Sequence, residues 1–247
     1  MVQISAHHIR YRQGWAFLNT VACNRSFISI RPNRYYLAPT MANQRIKILH
    51  EDNHLLVVAK PSGLLSQGDD TNHVSLLELV KEHIREKYNK PGNVFLGLVH
   101  RLDRPVSGVM VLARTSKAAG RLSAQFRDNT VRKTYLAVVK GCPYEQSGEL
   151  VHFMGQRGDR DRKTPIEDYQ FEGAKEARLE WEVVSAGTDK SVLRVRPITG
   201  RRHQIRAQLA QIGLPVLGDQ KYGDVEPLAN RSIALHAWRL ELDHPVG

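Results

Sequence analysis

The chain has 247 residues, 41% of them hydrophobic and 25% charged, and 36 Lys and Arg against 25 Asp and Glu give a formal net charge of +11. That length can bury one large core or two small ones. No apolar run approaches the roughly 18 residues a membrane helix needs, and Cys23 and Cys142 supply neither a disulfide framework nor a zinc spacing. A basic excess of this size favours a polyanionic partner, most often nucleic acid, because neutralised phosphates release their counterions.

The charge is unevenly spread. Residues 1–40 carry Arg10, Arg12, Arg25, Arg31 and Arg34 and no acidic residue. Two readings fit: a transit-like segment, which would make the protein organellar, or an over-extended reading frame whose natural start is Met41. The second is favoured because no amphipathic arginine face is evident. Residues 1–44 are therefore expected as an extension outside the core, and 45–247 as one catalytic domain.

From Arg45 the pattern is regular. Residues 46–49 and 55–59 predict strands around the polar turn Glu51, Asp52, Asn53, and Lys60-Pro61-Ser62-Gly63 ends the second. Ser75 with Glu78 forms a capping box ahead of Leu76, Leu77, Val80, Ile84 and Tyr88 at helical spacing. A strand over 108–113, a helix over 116–128 and a strand over 131–139 follow. Residues 155–175, rich in Gly and in both charge signs, read as a loop, insertion or lid. Residues 179–186 and 191–197 predict an antiparallel pair. Residues 201–212 predict a short helix closed by Gly213 with Pro215 beyond, and 233–242 a last strand. Strands dominate without a strict βα repeat, so the expected class is α+β around a mixed or antiparallel sheet flanked by helices.

G-x-G-x-x-G, the P-loop, H-E-x-x-H and C-x-x-C are all absent. What remains is carboxylate and cation chemistry. In His100-Arg101-Leu102-Asp103-Arg104-Pro105-Val106-Ser107-Gly108 one aspartate stands between two arginines, whose positive charge favours its ionised form. Such a group suits a nucleophile or base, although spacing alone favours a structural reading, with solvated arginines and an aspartate that caps a turn. In Thr199-Gly200-Arg201-Arg202-His203-Gln204-Ile205-Arg206 a glycine precedes a helix, placing backbone N–H groups where phosphate binds. The spacing predicts Arg202 and Arg206 on one helix face opposite Ile205, Leu209 and Ile212. These arginines are either solvated or paired to a carboxylate in a cleft. Tyr135, in Lys133-Thr134-Tyr135-Leu136-Ala137, is either core or a cleft-wall ring that stacks on a base.

Together, H-R-L-D-R-P-x-S-G at 100–108, K-T-Y-L-A-x-V-x-G at 133–141 and T-G-R-R-H-Q-I-R at 199–206 resemble the signature stretches of the RluA-type pseudouridine synthases. L-L-V-V-A-K-P-S-G-L-L at 55–65 and L-G-D-x-x-Y-G at 217–223 are similar to further family landmarks. The resemblance runs in order from about residue 45 to 244. Val106 stands where many members have Thr, and Gln208 where many have His, which bears on subgroup and substrate more than on activity.

The resemblance implies a pseudouridine-synthase-like fold around a central basic cleft, and an isomerase that turns uridines of structured RNA, rRNA or tRNA, into pseudouridine. It makes Asp103 the catalytic aspartate, Tyr135 the active-site tyrosine and Arg206 the arginine that pairs with the aspartate. Arg101 matches the motif arginine that displaces the target base, with Arg202 and His203 as further RNA-facing groups. Asp103 either attacks C1′ or removes the 2′ proton to give a glycal, and the family favours the second. The reaction requires no metal, redox group or nucleotide, so no cofactor is expected. RNA is the expected partner of a cytoplasmic monomer with no obligatory protein partner and no S4-like module. The alternative is a non-catalytic RNA-binding or RNA-folding protein on the same fold.

Overall fold

The computed structural model describes residues 2–11, 14–22, 46–69, 73–155 and 163–246, and of residues 2–22 only the backbone. The chain forms two compact units, residues 1–131 with 238–247, and residues 132–237.

The first unit begins with a hairpin, β1 (Val2–Tyr11) and β2 (Gly14–Ala22). β3 (Lys47–Glu51) and β4 (Leu55–Lys60) come next, then α1 (Leu76–Lys87), β5 (Gly97–Leu98), β6 (Ser107–Ala113) and α2 (Ser116–Arg127). β4 pairs antiparallel with β3 on one side and with β6 on the other. The capping box forms as its residues require: Ser75 Oγ accepts from Glu78 N while the Glu78 carboxylate accepts from Ser75 N at 2.8 Å. Leu55, Val57, Val109 and Val111 from the two strands pack with Ala118 and Leu122 of α2 into one core. β4 and β6 are near-continuous apolar runs because both of their faces are covered.

The second unit holds β7 (Arg132–Lys140), β8 (Ser147–Met154), β9 (Ile166–Glu167), β10 (Lys175–Ala186), β11 (Lys190–Pro197) and α3 (Gln204–Gln211). β7 pairs with β11, β11 with β10, β10 with β8 and β8 with β9, all antiparallel. Ala177, Leu179 and Trp181 of β10 point inward between exposed Glu176, Arg178 and Glu180, the period-two signature of a half-buried strand. Ala207 of α3 packs on Met154, Ala177 and Tyr222. The last strand, β12 (Leu235–Leu242), starts in this unit and ends in the first, where its residues 239–242 pair with β1.

The α+β class holds, and several elements depart from the sequence reading. Residues 2–11 and 14–22, where no element was assigned from sequence, form the β1–β2 hairpin, and β1 pairs with β12. β8 and β9 carry no turn-bounded apolar run in sequence and were not expected. Residues 155–175 include β9 and the first residue of β10, and residues 156–162 of that stretch lie outside the described residues. The helix expected over 201–212 begins only at Gln204, because His203 takes a left-handed backbone, φ +55°, that breaks the turn before it. Arg202 therefore precedes the helix and is exposed, and it does not share a face with buried Arg206. Ile205 and Leu209 are buried as expected, whereas Ile212 is an exposed C-cap.

Candidate active site

Asp103 lies in the first unit, half-buried at the head of a tight turn in which Val106 N donates to its carbonyl at 3.0 Å. The loop around it is pinned on both sides by residues 60–66. Ser66, itself buried, donates through Oγ to Leu102 O at 2.7 Å and accepts from Leu102 N at 3.2 Å. Gly63, at φ +83°, donates its N–H to Arg104 O at 2.8 Å and accepts from Arg104 Nε at 3.0 Å. The residues immediately before and after Asp103 are thus both tied by backbone hydrogen bonds, which fixes where the carboxylate can point. On the far side, His100 Nε2 accepts from Val111 N at 3.0 Å and its ring stacks on Phe126 at 4.6 Å. Of the flanking cations, Arg101 and Arg104 are both exposed.

Beneath the loop is a residue to which the sequence reading gave no role. Lys60 is 1% exposed, and its ammonium donates to Pro61 O at 3.0 Å, Leu64 O at 2.7 Å and Arg104 O at 3.2 Å. Three carbonyls match the three protons of –NH3+. Burial pushes the Lys60 ammonium down to about 7; the Asp103 carboxylate pulls the other way and Arg104 adds a smaller push down. Lys60 is thus a buried cation within electrostatic reach of Asp103, in addition to the arginines that the sequence offers.

The other site residues lie in the second unit. Tyr135 is half-buried on β7, beside buried Ala137 and Val139 on the same strand face and paired in register with Val195. It is therefore not a fully enclosed core tyrosine. The turn before α3 is organised by Gln204, whose Oε1 accepts from Thr199 Oγ1 at 2.8 Å and Arg201 N at 2.9 Å, while its Nε2 donates to Arg178 O at 3.0 Å. Lys133 approaches this turn, its Nζ 3.9 Å from where a side chain on Gly200 would begin, and burial lowers its pKa.

Arg206 is 5% exposed and grips Asp219 in a two-point fork, Nε to Oδ2 at 2.6 Å and Nη2 to Oδ1 at 2.8 Å. Its guanidinium lies over the Tyr222 ring, 5.1 Å from the centroid. Asp219, 1% exposed, is itself held by a loop whose Tyr222, Gly223 and Asp224 N–H groups all donate to its carbonyl oxygen. Tyr222 also joins His203 to Arg206: its hydroxyl lies 3.0 Å from His203 Nδ1 while its ring supports the guanidinium. The structure so brings Arg206 and His203 together around one tyrosine and leaves Arg202 exposed. Asp219 and Tyr222, like Ser66, carry no expected role from sequence, although L-G-D-x-x-Y-G contains both. A glycine-bounded acidic motif just past a helix was the available signal.

A family model described as RNA pseudouridylate synthase matches residues 54–211, which include the Asp103, Tyr135 and Arg206 stretches. The dual-specificity RNA pseudouridine synthase RluA of Escherichia coli is 38% identical over 202 residues, 81% of this chain and 87% of that protein. The ribosomal large subunit pseudouridine synthase D of Nitrosomonas europaea is 35% identical over 209 residues, and the match covers 81% of this chain and 58% of that relative's length. Among solved structures, human RNA pseudouridylate synthase domain containing 1 superposes with a TM-score of 0.66 at 26% identity, covering 83% of this chain and 80% of that one. With the family model, these relatives and the fold agreeing, the chain belongs to the RluA-type RNA pseudouridine synthase family.

Proposed function

We propose that the protein isomerises specific uridines of rRNA or tRNA to pseudouridine, acting as a cytoplasmic monomer. The observation that carries this reading is the pinning of Asp103: a half-buried carboxylate whose two neighbours are fixed by Ser66, Gly63 and Lys60 is pre-organised for chemistry on a bound sugar. The relatives support the substrate class, since the Escherichia coli protein is named as a dual-specificity RNA enzyme and that of Yersinia pestis as a tRNA pseudouridine synthase.

In this reading the N1–C1′ bond of uridine breaks, the base turns within the site, and a C5–C1′ bond forms. The C5 proton is lost and N1 is reprotonated, so the product is an isomer and no electrons are exchanged with another molecule. Asp103 starts the sequence, either by attacking C1′ or by taking the 2′ proton. Arg206 holds the carboxylate ionised and oriented. Tyr135 stacks on the displaced base and receives the C5 proton. Arg101 enters the stack that the uridine leaves, a step costing a few kcal/mol that RNA contacts such as those of Arg202 and His203 offset.

The test is tritium release from rRNA and tRNA transcripts carrying [5-3H]uridine. Asp103→Asn is expected to abolish release while RNA affinity stays within about twofold, because an isosteric amide keeps the contacts and loses the base or nucleophile. Release by the variant at the unaltered rate would overturn the assignment. RNA binding without release by the unaltered chain would instead identify a binding protein on this fold.

A further inference from the structure

We propose that Lys133 binds a backbone phosphate of the nucleotide whose base stacks on Tyr135, and that Gly200 is the opening through which that phosphate reaches it. The proposal deepens the function above and rests on it. Lys133 belongs to the K-T-Y-L-A-x-V-x-G stretch, and the mechanism above gives it no role. It is half-buried on β7, two residues before Tyr135 and therefore on the same strand face, about 7 Å along the strand. The sugar of a nucleotide stacked on Tyr135 carries its phosphates across a similar distance. Among the described residues no carbonyl, hydroxyl or carboxylate accepts from Lys133 Nζ, and burial lowers its pKa with no carboxylate to oppose it. Lys60 is the contrast, its three protons met by three carbonyls. A desolvated cation without acceptors destabilises the fold that holds it, and an anion brought by a ligand offsets that cost.

Gly200 leaves the way open. Its φ lies outside the left-handed region, so the backbone does not require glycine there. Crowding does not require it either. Chain neighbours aside, the one atom of the described residues within 4 Å of a Cβ built at Gly200 is Lys133 Nζ, at 3.9 Å, an ordinary van der Waals contact. What the bare Cα provides is an uncovered face of the ammonium. Exposed Arg201 and Arg202 follow directly in the same turn and draw a polyanion towards it without discriminating among its phosphates. A half-buried ammonium reached at one place fixes which phosphate it holds, and so sets the register of the strand on Tyr135.

Lys133→Gln and Gly200→Ala test the two halves. The first removes the charge, and the second keeps every charge but places a methyl group in front of the ammonium. Binding to a pool of in vitro-transcribed tRNA is measured by fluorescence anisotropy over a salt series, in chains that also carry Asp103→Asn so that no turnover intervenes. Relative to Asp103→Asn alone, both variants are expected to bind about tenfold more weakly at low salt, the size of one hydrogen bond to a charged group. Both are expected to flatten log affinity against log salt by about 0.7–0.9, the loss of one phosphate contact. With Asp103 intact, tritium release is expected to show a raised KM and a kcat within about threefold, because a phosphate away from the reacting bonds is held alike in ground and transition states. Thermal melting without RNA separates binding from folding. Lys133→Gln removes a desolvated charge that has no partner, so it is expected to melt no lower than the unaltered chain, and Gly200→Ala within about 2 °C of it.

A salt slope unchanged in either variant, a fall in kcat in place of a rise in KM, or a Lys133→Gln chain that melts several degrees lower would each overturn the proposal. Absence of tritium release from the unaltered chain would defeat the proposed isomerase activity instead, and the salt slopes and melts would still decide whether Lys133 holds a phosphate.

Discussion

Arg206 and Asp219 are both nearly inaccessible to water, and neither tolerates solitude there. Taking one charge from such a pair leaves the other buried and uncompensated, at about 3–5 kcal/mol, whereas replacing both by apolar groups of similar volume is often neutral or stabilising. Asp219→Leu alone is therefore expected to lower unfolding stability by about 3 kcal/mol or more, and Arg206→Met with Asp219→Leu to recover most of that loss. Activity follows a different rule. If Arg206 holds a reacting carboxylate, the double variant regains most of the lost stability and still releases no tritium. Urea melts and release assays on the same three proteins check this. A stable double variant that still turns over would make the pair purely structural.

At the scale of elements, the Asp103 loop owes its shape to a segment some 40 residues earlier, and Lys60 is the joint between them. The folded-state value of about 7 lies below the ordinary lysine value of 10.5, so between these two pH values the unfolded chain binds one proton more than the folded chain. Stability contributed through Lys60 therefore rises with pH across that window, with a limiting slope of about 1.4 kcal/mol per pH unit, and is flat below it, where both states are protonated. Urea melts from pH 7 to 9 are expected to show that rise in the unaltered chain relative to Lys60→Met. Parallel curves would mean that Lys60 titrates normally. The same variant leaves the Arg104 and Leu64 carbonyls without their charged donor, and release is expected to fall at least about tenfold with RNA affinity little changed.

The elements themselves were largely readable. Wherever apolar periodicity met a stop signal, as in α1 with its capping box or β6 running out of the aspartate motif, sequence and structure agree within a residue or two. The failures have a common physical source. β8 and the start of β10 are exposed on one face, and their Glu and Arg residues, such as Glu149 with Arg178, satisfy one another across the strands, so their local composition imitates a loop. The start of α3 was misplaced because a left-handed histidine leaves no compositional trace. At the site, the residues that touch the substrate in the proposed reaction stand in distinctive motifs. Their supports, Lys60, Ser66, Asp219 and Tyr222, act through tertiary hydrogen bonds that no spacing rule encodes.

For the whole molecule, the excess of +11 divides almost equally between residues 1–40, with five arginines and no acid, and the remainder of the chain. The first strand of that segment pairs with β12, so its backbone is seated on the first unit. Cations that act as a field and cations that act at a point separate experimentally by salt. A phosphate contact releases counterions, and each lost contact flattens the dependence of log affinity on log salt by about 0.7 for single-stranded and 0.9 for duplex nucleic acid. Replacing Arg10, Arg12, Arg25, Arg31 and Arg34 together by glutamine is expected to weaken RNA binding at low salt and to flatten that slope by at least about 1. Tritium release at saturating RNA should not change, since none of the five belongs to the motifs that carry the chemistry. Arg206→Lys inverts the pattern: the charge remains, so the slope is preserved, while the fork that only a guanidinium makes is lost and release falls. A steep loss of saturated turnover in the five-fold variant would show that the N-terminal charge takes part in the reaction itself.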